Sequence, residues 1–242
     1  MNIAIFLFIV FFAYLLQGII GFGAGLVSVP LALVFLDKET VITSVTVLGL
    51  VSSGVLIKQI DEPLNYRVFL PLFIASVLGM PVGILILQLT PLNELKMITG
   101  VLSLFFTVIL LFPRLRLPKR LVLILVPGFL CGILSTSTAT PGPPAVLVLS
   151  AMGISKDGMR KILVTFFFWM SVAGLPLFIV SNIFTFQRAT PGAVAAPFIF
   201  LAGYLGDRIS RRIPPRMYKG LALVVIGMTS LYGIYSGLQV GQ

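Results

Sequence analysis

The polar residues best placed for chemistry form a run of hydroxyls in the middle of the chain. Five hydroxyl side chains occur within six residues, at Ser135, Thr136, Ser137, Thr138 and Thr140. A hydroxyl can donate a hydrogen bond to an oxyanion without burying a fixed charge. The run ends in Pro141-Gly142-Pro143-Pro144, a sequence that interrupts a helix. The alternative is that these hydroxyls bond to the preceding helical turn, as serine and threonine commonly do.

A second interruption, rich in glycine, lies near the start of the chain and includes Gln17, Gly21, Gly23, Gly25, Ser28 and Pro30. Where a membrane helix breaks, the returning half-helix points its free N–H groups and the positive end of its dipole inward, which favours an anion. The alternative for the glycines is close helix packing. The predicted helix breaks are Pro30, Pro141, Pro143 and Pro144.

We predict one anion site built from both interruptions and from two threonines at similar places in the two halves of the chain. Its residues are Gln17, Gly21, Gly23, Gly25, Ser28, Thr46, Ser135, Thr136, Ser137, Thr138, Thr140, Gly142 and Thr165. The other hydroxyls within apolar segments are attributed to helix packing, namely Thr43, Ser44, Ser52, Ser53 and Ser171.

Composition places the chain in a membrane. Its mean hydropathy is +1.13, and 58% of its residues are hydrophobic while only 10% are charged. A soluble domain carries about a quarter of charged residues and could not cover its surface with so few. The net charge of +10 is typical of basic loops on one side of a bilayer, so nucleic-acid binding is not expected.

The residues on which most enzymes and metal sites depend are missing from the sequence. There is no histidine and only one cysteine, Cys131, which excludes histidine-based zinc sites, Ser-His and Cys-His pairs and an internal disulfide. The segment GFGAGL has leucine where a dinucleotide-binding motif requires its third glycine. We therefore expect no enzyme, no metal and no cofactor.

The apolar segments form two similar series. The first contains a long interrupted segment at 3–36 and spans at 40–57, 68–89 and 92–112. The second contains an interrupted segment at 121–151 and spans at 162–182, 190–206 and 218–237. Three residue pairs share an offset of 123, namely Gly83 with Gly206, Pro91 with Pro214, and Lys96 with Lys219. We predict two repeats, 1–113 and 121–242, joined by a basic linker at 114–120.

The basic residues favour a particular topology. If each interrupted segment is a hairpin that returns to its starting side, and the linker is cytoplasmic, 14 of the 17 basic residues lie inside and 3 outside. If each segment crosses once, the split is 7 inside and 10 outside. Lysine and arginine concentrate in cytoplasmic loops, so the hairpins are favoured. A hairpin plus three spans crosses an odd number of times. The predicted fold is therefore an all-α polytopic membrane protein with two inverted repeats and both termini outside, as in many secondary transporters.

Two stretches resemble a known family. QGIIGFGAGLVSVPLALVFLD near the start and GYLGDRISRRIPPRMYKGLALVVIGMTSLYGIYSG near the end are similar to the sulfite exporter TauE/SafE family of membrane transporters. The resemblance implies a plasma-membrane transporter for sulfite or organosulfonates. It also matches Gly21, Gly23, Gly25 and Pro30 to the first family motif and the element at 142–144 to the second. The chain has STSTAT where the family is usually glycine-rich.

The leading prediction is a secondary transporter that exports small sulfur-containing oxyanions. No carboxylate lies in the middle of a span, so the membrane potential is the expected driving force rather than a buried proton or sodium site. An anion channel and a non-transport membrane scaffold are the alternatives. The expected partners are a small anion and the lipid bilayer, and a homo-oligomer is left open.

Overall fold

In a computed structural model of the protein, the described residues are 3–111 and 122–210, together with residues 224, 227, 228, 230–232 and 234–238. The two long ranges form helices α1 (Ile3–Ile20), α2 (Ala24–Ala32), α3 (Lys38–Gln59), α4 (Tyr66–Leu89), α5 (Leu92–Leu111), α6 (Val122–Thr138), α7 (Gly142–Ala151), α8 (Lys156–Val180) and α9 (Phe186–Ser210). No strand occurs in these ranges, so the predicted all-α class is confirmed. The linker at 114–120 and half of the predicted span at 218–237 lie outside the described residues.

Four of the described helices are long and apolar enough to cross a membrane: Lys38–Gln59, Tyr66–Leu89, Asp157–Val180 and Phe186–Gly206. The surface of α4 shows what surrounds them. Leu70, Ile74, Leu78, Val82 and Leu85 are all exposed, with Leu78 at 66%, and their spacing of three or four residues places them on one face. An apolar stripe of this kind is stable against lipid and not against water.

Basic side chains close several helix C-termini. Lys161 donates to the carbonyls of Ile57 and Ile60 at the end of α3, at 3.1 and 2.7 Å. Lys38 donates to two carbonyls at the end of α4, Gln88 at 3.3 Å and Thr90 at 2.6 Å. The carbonyl end of a helix carries partial negative charge, so a cation there is stabilising. These lysines therefore hold neighbouring helices together.

Glycines bring α4 and α6 into direct backbone contact. Cβ atoms added at Gly79 and Gly132 would overlap the carbonyl oxygens of Phe129 and Ser76 respectively, so only glycine fits there. Ser76 also donates from its hydroxyl to the carbonyl of Gly128 at 2.8 Å. Residue numbers rise together along the contact, so the two helices run parallel. Small residues and interhelical hydrogen bonds are what hold helices together in lipid.

The helix contacts follow a reciprocal pattern between the two series. α6 packs against α4, a span of the first series, and α1 packs against α9, a span of the second. The contact of α1 with α9 also uses glycines, because Cβ atoms at Gly18 and Gly206 would meet the opposite backbone. Between these pairs, α3 and α8 run antiparallel, with Gly49 beside Ser171 and Gly54 beside Phe168. The predicted inverted arrangement itself stays a prediction.

Candidate functional site

The first interruption separates α1 from α2 at residues 21–23. Gly21 and Gly23 have φ values of 87° and 103°, in the left-handed region that glycine enters without steric cost. Gly21 closes the end of α1 by donating to the carbonyl of Gln17 at 2.6 Å. The prediction that Pro30 breaks this helix is wrong, since Pro30 lies inside α2. The chain turns where glycine permits a left-handed backbone, and the proline falls near the end of the short returning helix.

The second interruption separates α6 from α7 at residues 139–141. Ala139 has a φ of 50°, an uncommon conformation for a residue with a Cβ. Pro141 is the N-cap of α7, and Pro143 and Pro144 follow Gly142 in its first turn. Proline is tolerated there because the first N–H groups of a helix have no partner within it. These prolines therefore mark the start of the returning helix.

The two interruptions touch each other. A Cβ added at Gly25 would overlap the carbonyl oxygen of Ala139 and lie 3.5 Å from Cγ2 of Thr140. Between the interruptions lies a cavity of about 60 Å³. Its walls come from both interruptions and from α1, α3, α6 and α8. The lining residues are Tyr14, Gln17, Gly23, Ala24, Gly25, Leu26, Val45, Thr46, Gly49, Ser135, Ala139, Thr140, Pro141, Gly142, Phe167, Met170 and Ser171.

The N-termini of both returning helices face this cavity. The first turn of α2 contributes Ala24, Gly25 and Leu26 to the wall, and α7 contributes Gly142. Each N-terminus carries about half a positive charge from the helix dipole. The end of α7 is poorer in donors, because Pro143 and Pro144 have no N–H and the amide of Ala145 hydrogen-bonds to the Cys131 thiol. The dipoles of two helices and the amides of the α2 turn thus make the cavity attractive to an anion.

Several of the predicted hydroxyls are used by the backbone instead. Thr136 donates to the carbonyl of Met80 on α4, at 2.7 Å. Ser137 and Thr138 donate to the carbonyls four residues before them, at 2.7 and 2.9 Å, and Ser28 does the same within α2 at 2.8 Å. None of these four side chains lines the cavity. For them the local bonding expected of helical serine and threonine holds.

Two further predicted residues lie away from the cavity lining. Gly21 packs against the side chain of Arg160, whose Cγ would be 2.9 Å from an added Cβ. Thr165 is buried in α8, and its hydroxyl has no hydrogen-bond partner among the residues that the structure describes. The structure thus brings together Gln17, Gly23, Gly25, Thr46, Ser135, Thr140 and Gly142 around the cavity.

Three lining side chains present polar groups with no partner among the described residues. Gln17 is 5% exposed, and its carboxamide has no hydrogen-bond partner in the described part of the chain. Ser135 and Ser171 line the same cavity without a bonded hydroxyl. Thr46 and Tyr14, by contrast, donate to the carbonyls of Ile42 and Val45, at 2.8 and 2.9 Å. Gln17, Ser135 and Ser171 therefore hold the hydrogen-bonding capacity that a ligand could use.

Sequence reasoning missed several of the lining residues. Ser171 was attributed to helix packing, and Tyr14, Phe167 and Met170 were not predicted at all. Tyr14 precedes Gln17 by three residues, so the two lie on one face of α1, and that spacing could have identified it. Ser171 enters the cavity because α8 packs against Gly49 of α3. No local pattern in α8 indicates that contact.

The cavity wall is electrically neutral in its side chains. None of the described residues that line it carries a formal charge. Arg160, the basic residue beside the first interruption, donates to the carbonyl of Gly18 at 2.7 Å, at the end of α1. Arg188 donates to the carbonyls of Asn182 and Ile183 at 3.2 and 2.9 Å. A ligand in the cavity would therefore meet dipoles and neutral donors.

Comparison with known proteins identifies the family of the chain. The match to the family described as sulfite exporter TauE/SafE extends over residues 6–233. Neither the search of curated proteins nor that of solved structures gave a match. The family match covers nearly the whole chain and confirms the family that the two terminal stretches resemble. The chain is a multi-pass membrane protein and belongs to the sulfite exporter TauE/SafE family of membrane transporters.

Proposed function

We propose that this protein is a secondary transporter that exports small sulfur-containing oxyanions, such as sulfite or an organosulfonate, across the plasma membrane. One observation carries the proposal: two half-helix N-termini and three polar side chains with no partner among the described residues surround one cavity. Helix N-termini and neutral donors are suited to an oxyanion. The family of the chain supports sulfur as the central atom of that anion.

The anion would lie between the first turn of α2 and the Ser135 side chain. Gln17 on α1 and Ser171 on α8 would complete the ring of donors. Thr46 and Thr140 lie beside it, but their hydroxyls donate to the Ile42 carbonyl and to the Thr138 hydroxyl. Each of these groups belongs to a different segment of the chain. A site shared among segments can open when they move relative to each other, which is what alternating access requires.

The inverted arrangement of two repeats is part of the proposal. It is supported by the reciprocal packing of α6 on α4 and of α1 on α9, together with the antiparallel pair of α3 and α8. Both termini would then face outside and the linker at 114–120 would be cytoplasmic. Single cysteines introduced at positions 118 and 239 test this with a membrane-impermeant maleimide in intact cells. Labelling at 239 and protection at 118 is expected, and the reverse would refute the topology. Cys131 is buried, so background labelling should be low.

The membrane potential is the proposed driving force. Moving one charge through 100 mV releases about 2.3 kcal/mol, so an anion leaving a negative interior needs no coupling ion. The absence of charged side chains from the described cavity wall fits transport without a bound proton or sodium ion. Sulfite efflux from proteoliposomes should rise with an inside-negative potential, and efflux indifferent to voltage would exclude this mechanism.

A pair of serine variants tests the site itself. Ser135 lines the cavity with a free hydroxyl, whereas Ser137, two residues later, bonds to the carbonyl of Ile133 and lies outside the lining. Ser135→Ala should lower sulfite transport by roughly tenfold, the value of one hydrogen bond to a charged group. Ser137→Ala is the matched control and should keep the transport rate.

Sulfite transport and sulfite binding, measured on the same variants, distinguish the proposed transporter from a channel and from a scaffold. A channel would give a flux that does not saturate with sulfite concentration. A non-transport scaffold would give no flux, and neither serine variant would differ from the unmodified protein in sulfite binding. Equal transport by Ser135→Ala and Ser137→Ala would contradict the proposed site.

A further inference from the structure

We infer that the cavity selects oxyanions by charge, binding monoanions and rejecting dianions of the same shape. The inference rests on the proposed function and adds the charge state of the substrate to it. The ligand class it predicts includes hydrogen sulfite and alkyl sulfonates and excludes sulfate and the fully deprotonated sulfite dianion.

The positive potential available in the cavity is small. Its described lining contains no arginine, lysine or other charged side chain. What remains is the pair of N-termini of α2 and α7, nine and ten residues long. At about half a charge each, the two N-termini offset at most roughly one negative charge, and the carbonyl ends of α1 and α6 at the same interruptions lower that value. A second negative charge on the ligand would stay uncompensated by the wall, and an unpaired charge outside bulk water is strongly unfavourable.

The polar side chains of the cavity wall that could bind a ligand are all neutral. Gln17 and Ser171 are 5% and 7% exposed and line the cavity without partners among the described residues. Together with Ser135 they offer an amide and two hydroxyls. These groups can donate hydrogen bonds to the oxygen atoms of an anion, but they add no net charge to the site. The carboxamide oxygen of Gln17 can also accept a hydrogen bond from a protonated oxygen of hydrogen sulfite, which the sulfite dianion lacks.

The cations near the cavity do not supply the missing charge. The guanidinium of Arg160 lies against the carbonyl of Gly18 and is not part of the cavity wall. Lys96 is buried in α5 and does not line the cavity either. The carbonyl end of α1 carries about half a negative charge, which offsets part of the positive charge of Arg160. Tyr14 is the only titratable side chain in the described lining.

Two tetrahedral anions of similar size but different charge test the inference on the purified full-length protein. Isothermal titration at matched ionic strength compares methanesulfonate, a monoanion, with sulfate, a dianion. Methanesulfonate should bind, and sulfate should bind at least roughly 100-fold more weakly, as expected for an uncompensated buried charge. Sulfate binding as tight as that of methanesulfonate would overturn the inference and leave the proposed transport of oxyanions standing.

Sulfite gives an independent measurement, because lowering the pH converts its dianion into the monoanion. The apparent affinity for total sulfite should rise as the pH falls through that conversion, while the affinity for methanesulfonate stays constant and controls for the protein. A sulfite affinity that rises with pH would overturn the charge selection. Binding of neither sulfite nor methanesulfonate at any pH would refute the proposed function, and the inference with it.

One variant should weaken the selectivity. Gln17→Arg places a fixed positive charge in the cavity and should narrow the ratio of methanesulfonate to sulfate affinity by at least roughly tenfold. Gln17→Glu should abolish binding of both anions. Thermal unfolding shows whether Gln17→Arg folds. If it folds and has the same ratio of methanesulfonate to sulfate affinity as the unmodified protein, the charge of the cavity wall does not set the preference. The comparison of two anions on the unmodified protein stands whether or not the variants fold.

Discussion

Replacing Gly25 by alanine would push apart the two interruptions that form the cavity. The new methyl group would overlap the carbonyl oxygen of Ala139, a backbone atom that cannot rotate away. Either the two interruptions separate or α2 tilts from its present axis. Both movements displace the first turn of α2 from the cavity wall, so the amides proposed to bind the anion lose their positions.

The magnitude follows from a comparison of two glycines. An extra methyl group in a tightly packed site costs about 1–3 kcal/mol, whereas alanine in an open helical position gains up to about 1 kcal/mol over glycine. Gly174 in α8 has nothing within 4 Å of an added Cβ and provides the control. Gly25→Ala should therefore be less stable than Gly174→Ala by about 1–4 kcal/mol, and it should lose most of its transport activity.

The assay combines thermal unfolding of each variant in the same detergent with sulfite transport in proteoliposomes at equal protein content. Transport is measured well below the unfolding temperature of the weaker variant, so that a loss of activity does not simply report unfolding. Equal unfolding temperatures and equal transport rates for Gly25→Ala and Gly174→Ala would refute the contact between the two interruptions.

Three further substitutions test the contacts that hold the helices. Gly132→Ala should overlap the carbonyl of Ser76 and destabilise the α4–α6 pair by about 1–3 kcal/mol, measured by thermal unfolding against a Gly203→Ala control. Lys161→Met removes two hydrogen bonds to the carbonyl end of α3 and should cost about 1–2 kcal/mol, while unchanged unfolding would contradict the capping role. Gly21→Ala should be destabilising for two reasons: alanine is strained at a φ of 87°, and its methyl group would lie 2.9 Å from Cγ of Arg160. Adding Arg160→Ala in a double-mutant cycle should relieve the steric part alone, and strict additivity would contradict that contact.

The positions of the two interruptions could be predicted from the sequence because their causes are local. A left-handed backbone at Gly21 and Gly23 needs residues without a Cβ, and the Pro-Gly-Pro-Pro run at 141–144 starts a helix better than it continues one. The prediction that Pro30 breaks the helix is wrong because the left-handed glycines Gly21 and Gly23 already turn the chain. Pro30 then lies within the short helix α2, close to its end.

The identity of the cavity wall could not be predicted in the same way. Which face of α8 meets the cavity depends on its contact with α3 at Gly49 and Gly54, residues more than a hundred positions away in sequence. Ser171 consequently lines the cavity while Thr165 does not. The rotation of a helix is a property of its neighbours, and an all-round apolar sequence leaves that rotation unspecified.

Hydroxyls in a membrane helix serve two purposes that composition alone does not separate. The backbone uses those of Ser137 and Thr138 through the carbonyl four residues before each, a bond available to any helical serine or threonine. Ser135 has a helical position of the same kind, yet its hydroxyl has no partner among the described residues and lines the cavity. A buried hydroxyl left unbonded in lipid is unfavourable unless something else bonds to it. The candidate ligand contacts are thus the polar groups that line the cavity and that the helices do not use, since Thr165 also has no partner in the part of the chain that the structure describes but lies outside the lining. The run at 135–140 contributes far fewer such groups than its composition suggests.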